Sequence, residues 1–280
     1  MQRHLDYFSH FSAVGFPINS QVEFERLLKM AFETGQSVPL PGGSGKYVLW
    51  EPGEGVQLWI KVKDRVVLGC APHFSGESAL KVEVQGFYSR PENIAVTDGA
   101  LLGTALPTDA ASLAFPLVVD LPGFEETASH VAPSQTVTVQ VAAFAREMVC
   151  SPGVGADADS EPSFFFPALA SPSAPSTGDL VPAEARITTR VLKAQRRTNP
   201  VTNQSFIALV AAAPGGGTID IAASPQSASG RLEEGGMIQG TFWISGRVLA
   251  SDPSSNTPER TSSSVSPILS RLTSWVRGGS

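Results

Sequence analysis

The sequence predicts a β-rich α+β chain in which an α/β module is followed by a small closed β-barrel. Three observations predict it. The 26 Gly and 22 Pro stand against only 16% charged residues, a balance that favours turns and short strands over long solvated helices. A single segment near the amino end carries both a helix start signal and helical periodicity. From Ala185 to Ala250 the chain alternates apolar and polar residues between turn dipeptides, which is the two-residue period of strands.

In the first module, expected over 1–150, the apolar segment Phe8 to Phe16 reads as a strand with a Gly-Phe-Pro exit. Ser20-Gln21-Val22-Glu23 matches a capping box, and Val22, Leu27, Leu28, Ala31 and Phe32 recur at helical spacing until Gly35. Strands follow at Tyr47 to Glu51, Val56 to Lys63 and Arg65 to Cys70, with a tight turn near Lys63-Asp64. Leu80 to Phe87, Leu117 to Leu121 and Thr136 to Phe144 extend the sheet, and Gly99 to Gly103 reads as a turn region. Val137, Val139 and Val141 alternate with Thr136, Thr138 and Gln140, so one face of that strand is buried.

The second module, 181–250, contains Ile187 to Ala194, Phe206 to Ala211, Thr218 to Ala222 and Met237 to Leu249. In the last of these, Ile238, Phe242, Ile244 and Val248 share a core face with Gly240 and Gly246; Gln239, Thr241, Trp243, Ser245 and Arg247 share the other. Inward glycines mark a bulge or the sharp coiling of a small barrel. Four or five such strands fit an oligonucleotide/oligosaccharide-binding (OB-like) barrel, and they fit a sandwich as well. Between the modules, 151–180 reads as a linker whose Phe164-Phe165-Phe166 cluster is pinned to a core. Residues 251–280 read as a disordered Ser-rich tail, within which Ile268, Leu269, Leu272, Trp275 and Val276 form a short amphipathic segment.

Charge divides along the same lines. Residues 1–180 carry 10 Lys+Arg against 20 Asp+Glu, and residues 181–250 carry 7 against 4. Arg186, Arg190, Lys193, Arg196 and Arg197 form a basic run that can attract polyanions, with a solvated strand and hairpin, or a surface docked on the acidic half of the same chain, as the structural alternative. Cys70 and Cys150 lie far apart and suggest buried thiols, not a disulfide framework or a zinc site. No window approaches the ~20 apolar residues of a membrane span, and the amino end lacks an apolar leader, so the expectation is a cytoplasmic protein.

Several motifs dissolve on inspection. Gly42-Gly43-Ser44-Gly45-Lys46 lacks the earlier glycine and the Ser/Thr of a phosphate loop and reads as a turn. Gly153-Val154-Gly155 lacks the third glycine and preceding strand of a dinucleotide site. Glu125 and Glu126 read as a solvated loop. The best candidate polar site is His73, Ser75 and Glu77, where an imidazole, a hydroxyl and a carboxylate follow an apolar strand; a loop histidine bonded to backbone is the structural alternative. Trp243 and Arg247, with Arg186, Arg190 and Arg197, form a candidate binding surface that suits packing against the first module equally well. One outward ring is no stacking platform, which argues against a nucleic-acid partner.

As a set, Glu51-Pro52-Gly53-Glu54-Gly55, Leu58-Trp59, Pro72-His73-Phe74-Ser75-Gly76, Ala142-Ala143-Phe144-Ala145, Arg197-Thr198-Asn199 with Thr202 and Phe206, and Gly240-Thr241-Phe242-Trp243-Ile244-Ser245-Gly246-Arg247 resemble, over roughly His10 to Ala250, an uncharacterised family of bacterial proteins, which supplies no activity. More remotely, the strand-helix-three-strand order of Phe8 to Cys70 is similar to one module of the vicinal oxygen chelate (glyoxalase-like) superfamily. That resemblance implies metal ligands on strands, for which His10 and possibly His73 are the available side chains, with no assignable partner. The sequence therefore predicts a non-enzymatic binding or adaptor protein for a protein or small ligand, with no cofactor and no metal site. A glyoxalase-like metal-dependent enzyme and a polyanion-binding module are the alternatives.

Overall fold

The computed structural model describes residues 10–43, 45–90, 97–109, 112–153, 164–167 and 182–251. The expected tail with its amphipathic segment, and most of the expected linker, lie outside them. Among the described residues the chain is β-rich with short helices, and no helix is long and apolar enough to cross a membrane.

The amino end folds as a helix and a meander. His10 to Ser12 are helical and the chain then turns at Gly15, whose φ is +79°, so the strand expected over Phe8 to Phe16 is absent from the described part. The apolar run is buried all the same, because Phe16 N–H bonds Phe11 C=O and Asn199 and Thr202 donate to the carbonyls of Val14 and Gly15. The helix α1 (Gln21–Thr34) starts at Ser20, whose hydroxyl accepts from Glu23 N–H at 3.3 Å, while the Glu23 carboxylate accepts from Asn19 N–H at 2.7 Å. Next come β1 (Gln36–Pro39), β2 (Gly45–Gly53), β3 (Val56–Lys63) and β4 (Val66–Phe74), an antiparallel four-stranded sheet in sequence order. Positive φ at Asp64 and Arg65 makes the tight β3–β4 turn expected there.

The remaining strands form one ten-stranded sheet: β5 (Leu80–Ser89), β6 (Gly99–Ala105), β7 (Phe115–Asp120), β8 (Thr136–Ser151), β9 (Phe164–Pro167), β10 (Glu184–Thr198), β11 (Ser205–Ala212), β12 (Thr218–Ala223), β13 (Ala228–Gly230) and β14 (Met237–Ser251). The short helix α2 (Phe124–His130) follows β7. Gly99 to Gly103 is strand, not turn: a Cβ at Gly103 would stand 2.5 Å from the Val82 side chain, so glycine there permits close strand packing. The backbone of Phe164–Pro167 pairs with β10 as β9, Phe165 opposite Ile187.

The organising element is the β8–β14 ribbon, paired antiparallel from Val137↔Ser251 to Ser151↔Met237. At one end β5, β6 and β7 run from the free edge of β8 round to that of β14, closing through a parallel bridge between Asp120 and Ser245. At the other end β12, β11 and β10 do the same, closing through the parallel pair β12–β8 with Asp220 opposite Ala142. Ala142 is itself opposite Ser245. The two rings are thus related by a pseudo-twofold through the Ala142–Ser245 pair, which exchanges β8 with β14 and β7 with β12. Pairing crosses the module boundary expected from the sequence along the whole ribbon.

One face of the ribbon lines both rings. Val137, Val139, Val141, Ala143, Ile238, Phe242 and Ile244 share a single apolar cluster with Leu101, Leu117, Leu209 and Ile221. The opposite face is buried too, beneath α1 and the four-stranded sheet, where Ala142, Phe144 and Trp243 meet Phe11, Trp50, Leu58, Ile60 and Phe74.

Candidate functional site

A layer of polar side chains is enclosed where the four-stranded sheet covers the ribbon. His73, near the end of β4, is fully buried, as are Ser245, Gln140 and Asp220 to within a few per cent. Gln140 donates its amide N–H groups to Asp220 Oδ2 at 2.7 Å and to the Phe74 carbonyl at 3.1 Å. That fixes its Oε1 towards His73 Nε2, 2.6 Å away, which must carry the proton. His73 Nδ1 is then the acceptor for the Ser245 hydroxyl at 2.8 Å. Burial, reinforced by the nearby Arg247 charge, pushes the His73 pKa down to about 3 against the opposing Gln140 bond, so the ring is neutral. The Ser245–His73–Gln140–Asp220 chain has the residue types of a charge relay. Its members spend their hydrogen bonds on one another, on the Phe74 carbonyl and on Glu77 and Ser78, and all four are buried.

Asp220 closes the chain on a second segment. It accepts from Gln140, from Glu77 N–H at 3.2 Å, from Ser78 N–H at 3.1 Å and from the Ser78 hydroxyl at 3.0 Å. Burial pushes its carboxyl pKa up while these bonds pull it down. Gly76 lies against the Asp220 carboxylate where any Cβ would collide with it. Asp220 therefore pins Gly76 to Ser78 in place.

The pseudo-twofold repeats this arrangement in other residue types. Trp243 stands where Gln140 stands and donates Nε1–H to Asp120 Oδ2 at 2.6 Å. Asp120 also pairs with Arg90. His10 stacks on Trp243 with ring centroids 4.2 Å apart; its nitrogens have no hydrogen-bond partner among the described residues, and burial pushes its pKa to about 3. A third buried cluster joins β2 and β3 to the first ring. Lys61 Nζ lies 2.6 Å from Glu125 and 3.2 Å from Asp98, and Tyr47 donates to Asp98 at 2.6 Å. Burial alone would lower the Lys61 pKa, yet its two carboxylates raise it overall. Glu125 is accordingly a helix-terminal ion-pair partner with its side chain still 38% exposed, and not the loop residue expected.

Outside this layer, the pinned segment forms one wall of a cleft of about 260 Å³. Its lining includes Ser75, Gly76 and Glu77 on one side, Lys193, Gln195 and Arg197 of β10 on another, and Ala208, Leu209 and Val210 of β11. Lys193 Nζ meets Glu77 Oε1 at 2.5 Å, which holds the Glu77 carboxyl below its ordinary pKa. Arg197 is held by the Glu54 carbonyl and Gln195 Oε1, with its guanidinium 5.4 Å over the Phe74 ring.

The sequence candidates thus separate. Ser75, Glu77 and Arg197 line the cleft, whereas His73 is enclosed behind it. Trp243 is buried under His10, and Arg247 sits 5.3 Å over Trp59 and donates to Gln57 at 3.3 Å. Arg186 and Arg190 belong to the half of β10 paired with β14, away from the cleft lining. Arg196 turns to a separate hollow of about 390 Å³ beside Cys150, Ile207 and Leu232. Cys70 and Cys150 are buried thiols, and among the described residues no three His, Cys, Asp or Glu side chains converge as metal ligands. Gln140, Asp220 and Ser245 carried one signal in the sequence: polar residues interrupting strands that are otherwise apolar. No protein-family model matches the chain, and neither curated proteins nor solved structures give a match.

Proposed function

We propose that the chain is a binding or adaptor protein that performs no chemistry on its ligand, and that the ligand lies in the Lys193–Arg197 cleft on the outer face of an OB-like unit. That unit comprises β10, β11, β12 and β14, completed by β8. Five strands closed by one parallel pair fit a Greek-key barrel of this kind, in which ligands lie across the second and third strands. Here those strands are β11 and β12, the source of Ala208, Leu209, Val210 and Asp220 in the cleft lining.

The observation that carries the reading is that the buried Asp220 anchors a wall beside an open, charged cleft, an arrangement that holds a recognition surface rigid. The alternatives have no feature of that specificity. His10 and His73 are committed to stacking and to Gln140 and Ser245, and the basic run divides between opposite sides of β10.

Ligand-observed NMR with a small-fragment set tests the assignment. Hits are expected to shift the backbone amides of 193–197, 208–210 and 220. Val210→Trp, which fills the cleft, is expected to weaken them at least ~10-fold, the effect of about 1.4 kcal/mol. Hits that map elsewhere, or that ignore Val210→Trp, would overturn it.

A further inference from the structure

The cleft holds four ionic groups, and their commitments differ. Asp220 is buried and satisfied by four donors, so it has no capacity for a ligand. Arg197 is spent on Glu54, Gln195 and the face of Phe74. Lys193 and Glu77 remain, paired with each other across the mouth, with side chains 44% and 58% exposed. The Glu77 backbone is fixed by its N–H bond to Asp220, whereas among the described residues its carboxylate is held by Lys193 alone. Rotation about the Glu77 side chain would therefore free the ammonium without disturbing the wall. An exposed ion pair of this kind adds little to stability, so exchanging it for a similar pair costs little.

We propose that the cleft accepts the carboxylate of a small monoanionic ligand, with Glu77 acting as an internal stand-in that leaves Lys193 when the ligand arrives. The inference rests on the binding function proposed above and names the ligand class of that site. Charge selects a monoanion: with Glu77 swung out, the lining keeps two cations against the buried Asp220, an excess of one. A dianion would bring an uncompensated charge up to Asp220. Size selects a small body. About 260 Å³ is the share of roughly nine waters at ~30 Å³ each, the scale of an aromatic acid or a single amino acid. Ala208, Leu209 and Val210 offer that body an apolar floor.

Titration of the full chain with benzoate, and with benzamide as its uncharged isostere, tests the exchange by amide chemical shifts. Benzoate is expected to shift 193, 195, 208–210 and 220, and to bind more tightly than benzamide. Glu77→Gln removes the competing carboxylate and should tighten benzoate about two- to fivefold without changing benzamide. Lys193→Gln should remove the preference for benzoate. If both probes bind in the cleft with equal affinity and both variants leave benzoate unchanged, the exchange is wrong while the binding site stands. If neither probe shifts cleft residues, while other fragments do, the monoanion assignment fails alone. If no small molecule shifts them, the binding-site reading fails with it.

Discussion

His73 and His10 are the residues through which acid should reach this fold. Each imidazole is enclosed in neutral form with a pKa near 3, whereas in the unfolded chain it titrates near 6.5. Between those values the unfolded state binds more protons. Stability is therefore complete above about pH 6.5 and falls as the pH drops towards 3, by ~1.4 kcal/mol per pH unit for each histidine. Asp98, Asp120 and Asp220, whose carboxyl pKa values burial raises, work the other way. Urea unfolding at pH 7.5, 6.0 and 5.0 should show the midpoint falling below pH 6.5, and His73→Gln should remove about half of the dependence. A flat profile contradicts the buried neutral state of both rings. His73 was visible in the sequence as a polar candidate, but its partners were not. Gln140 lies 67 positions away and Ser245 172 positions away, and alternation alone assigns Gln140 to a solvent face. The error is physical: a period of two shows that two faces exist, and cannot say that the second lies under another sheet.

At the scale of elements, local chemistry was legible. The Ser20 cap, a tight turn near Lys63-Asp64 and the inward face of Ile238, Phe242 and Ile244 all follow from propensity and pattern, the turn itself falling one residue later, at Asp64–Arg65. The glycines divided. Gly99 to Gly103 looked like a turn because glycine punctuates turns, yet the same residue permits a side chain to press on a strand. Gly246 is such a site, since a Cβ there would stand 2.5 Å from Val119 Cγ1 and 2.9 Å from the Gln140 carbonyl. Gly86, at the β5 bulge, meets nothing within 4 Å. Gly246→Ala should therefore cost about 1–3 kcal/mol through overpacking of the ribbon against β7. Gly86→Ala should be neutral or stabilising by up to ~1 kcal/mol, by restricting the unfolded chain. Urea denaturation measures both, and equal costs at the two sites would contradict the packing described.

For the whole molecule, the consequence of the ribbon is mutual dependence. β8 belongs to the amino half and β14 to the carboxyl half, yet each completes the ring built by the other. Ion pairs between the acidic and basic parts of the sequence, Glu77–Lys193 and Arg146–Glu184, follow from that closure and add little to it. The expected division at 150 and 181 follows composition, and composition is blind to which strand edges pair. Removing β8 from the second ring would bare one edge of β14 along its length and the edge of β12 at Asp220 to Ala222. It would also open the cluster holding Ile221, Phe242 and Ile244 to water. At roughly 1.5–3 kcal/mol for each such side chain, the loss rivals the whole stability of a small domain. Residues 182–251 expressed alone should therefore show no cooperative thermal transition and poor amide dispersion. Co-expressed with residues 1–153, they should copurify as a complex with the dispersion of the intact chain. A folded, monomeric 182–251 fragment would show that the second ring closes without β8, and would refute the shared ribbon as the basis of this fold.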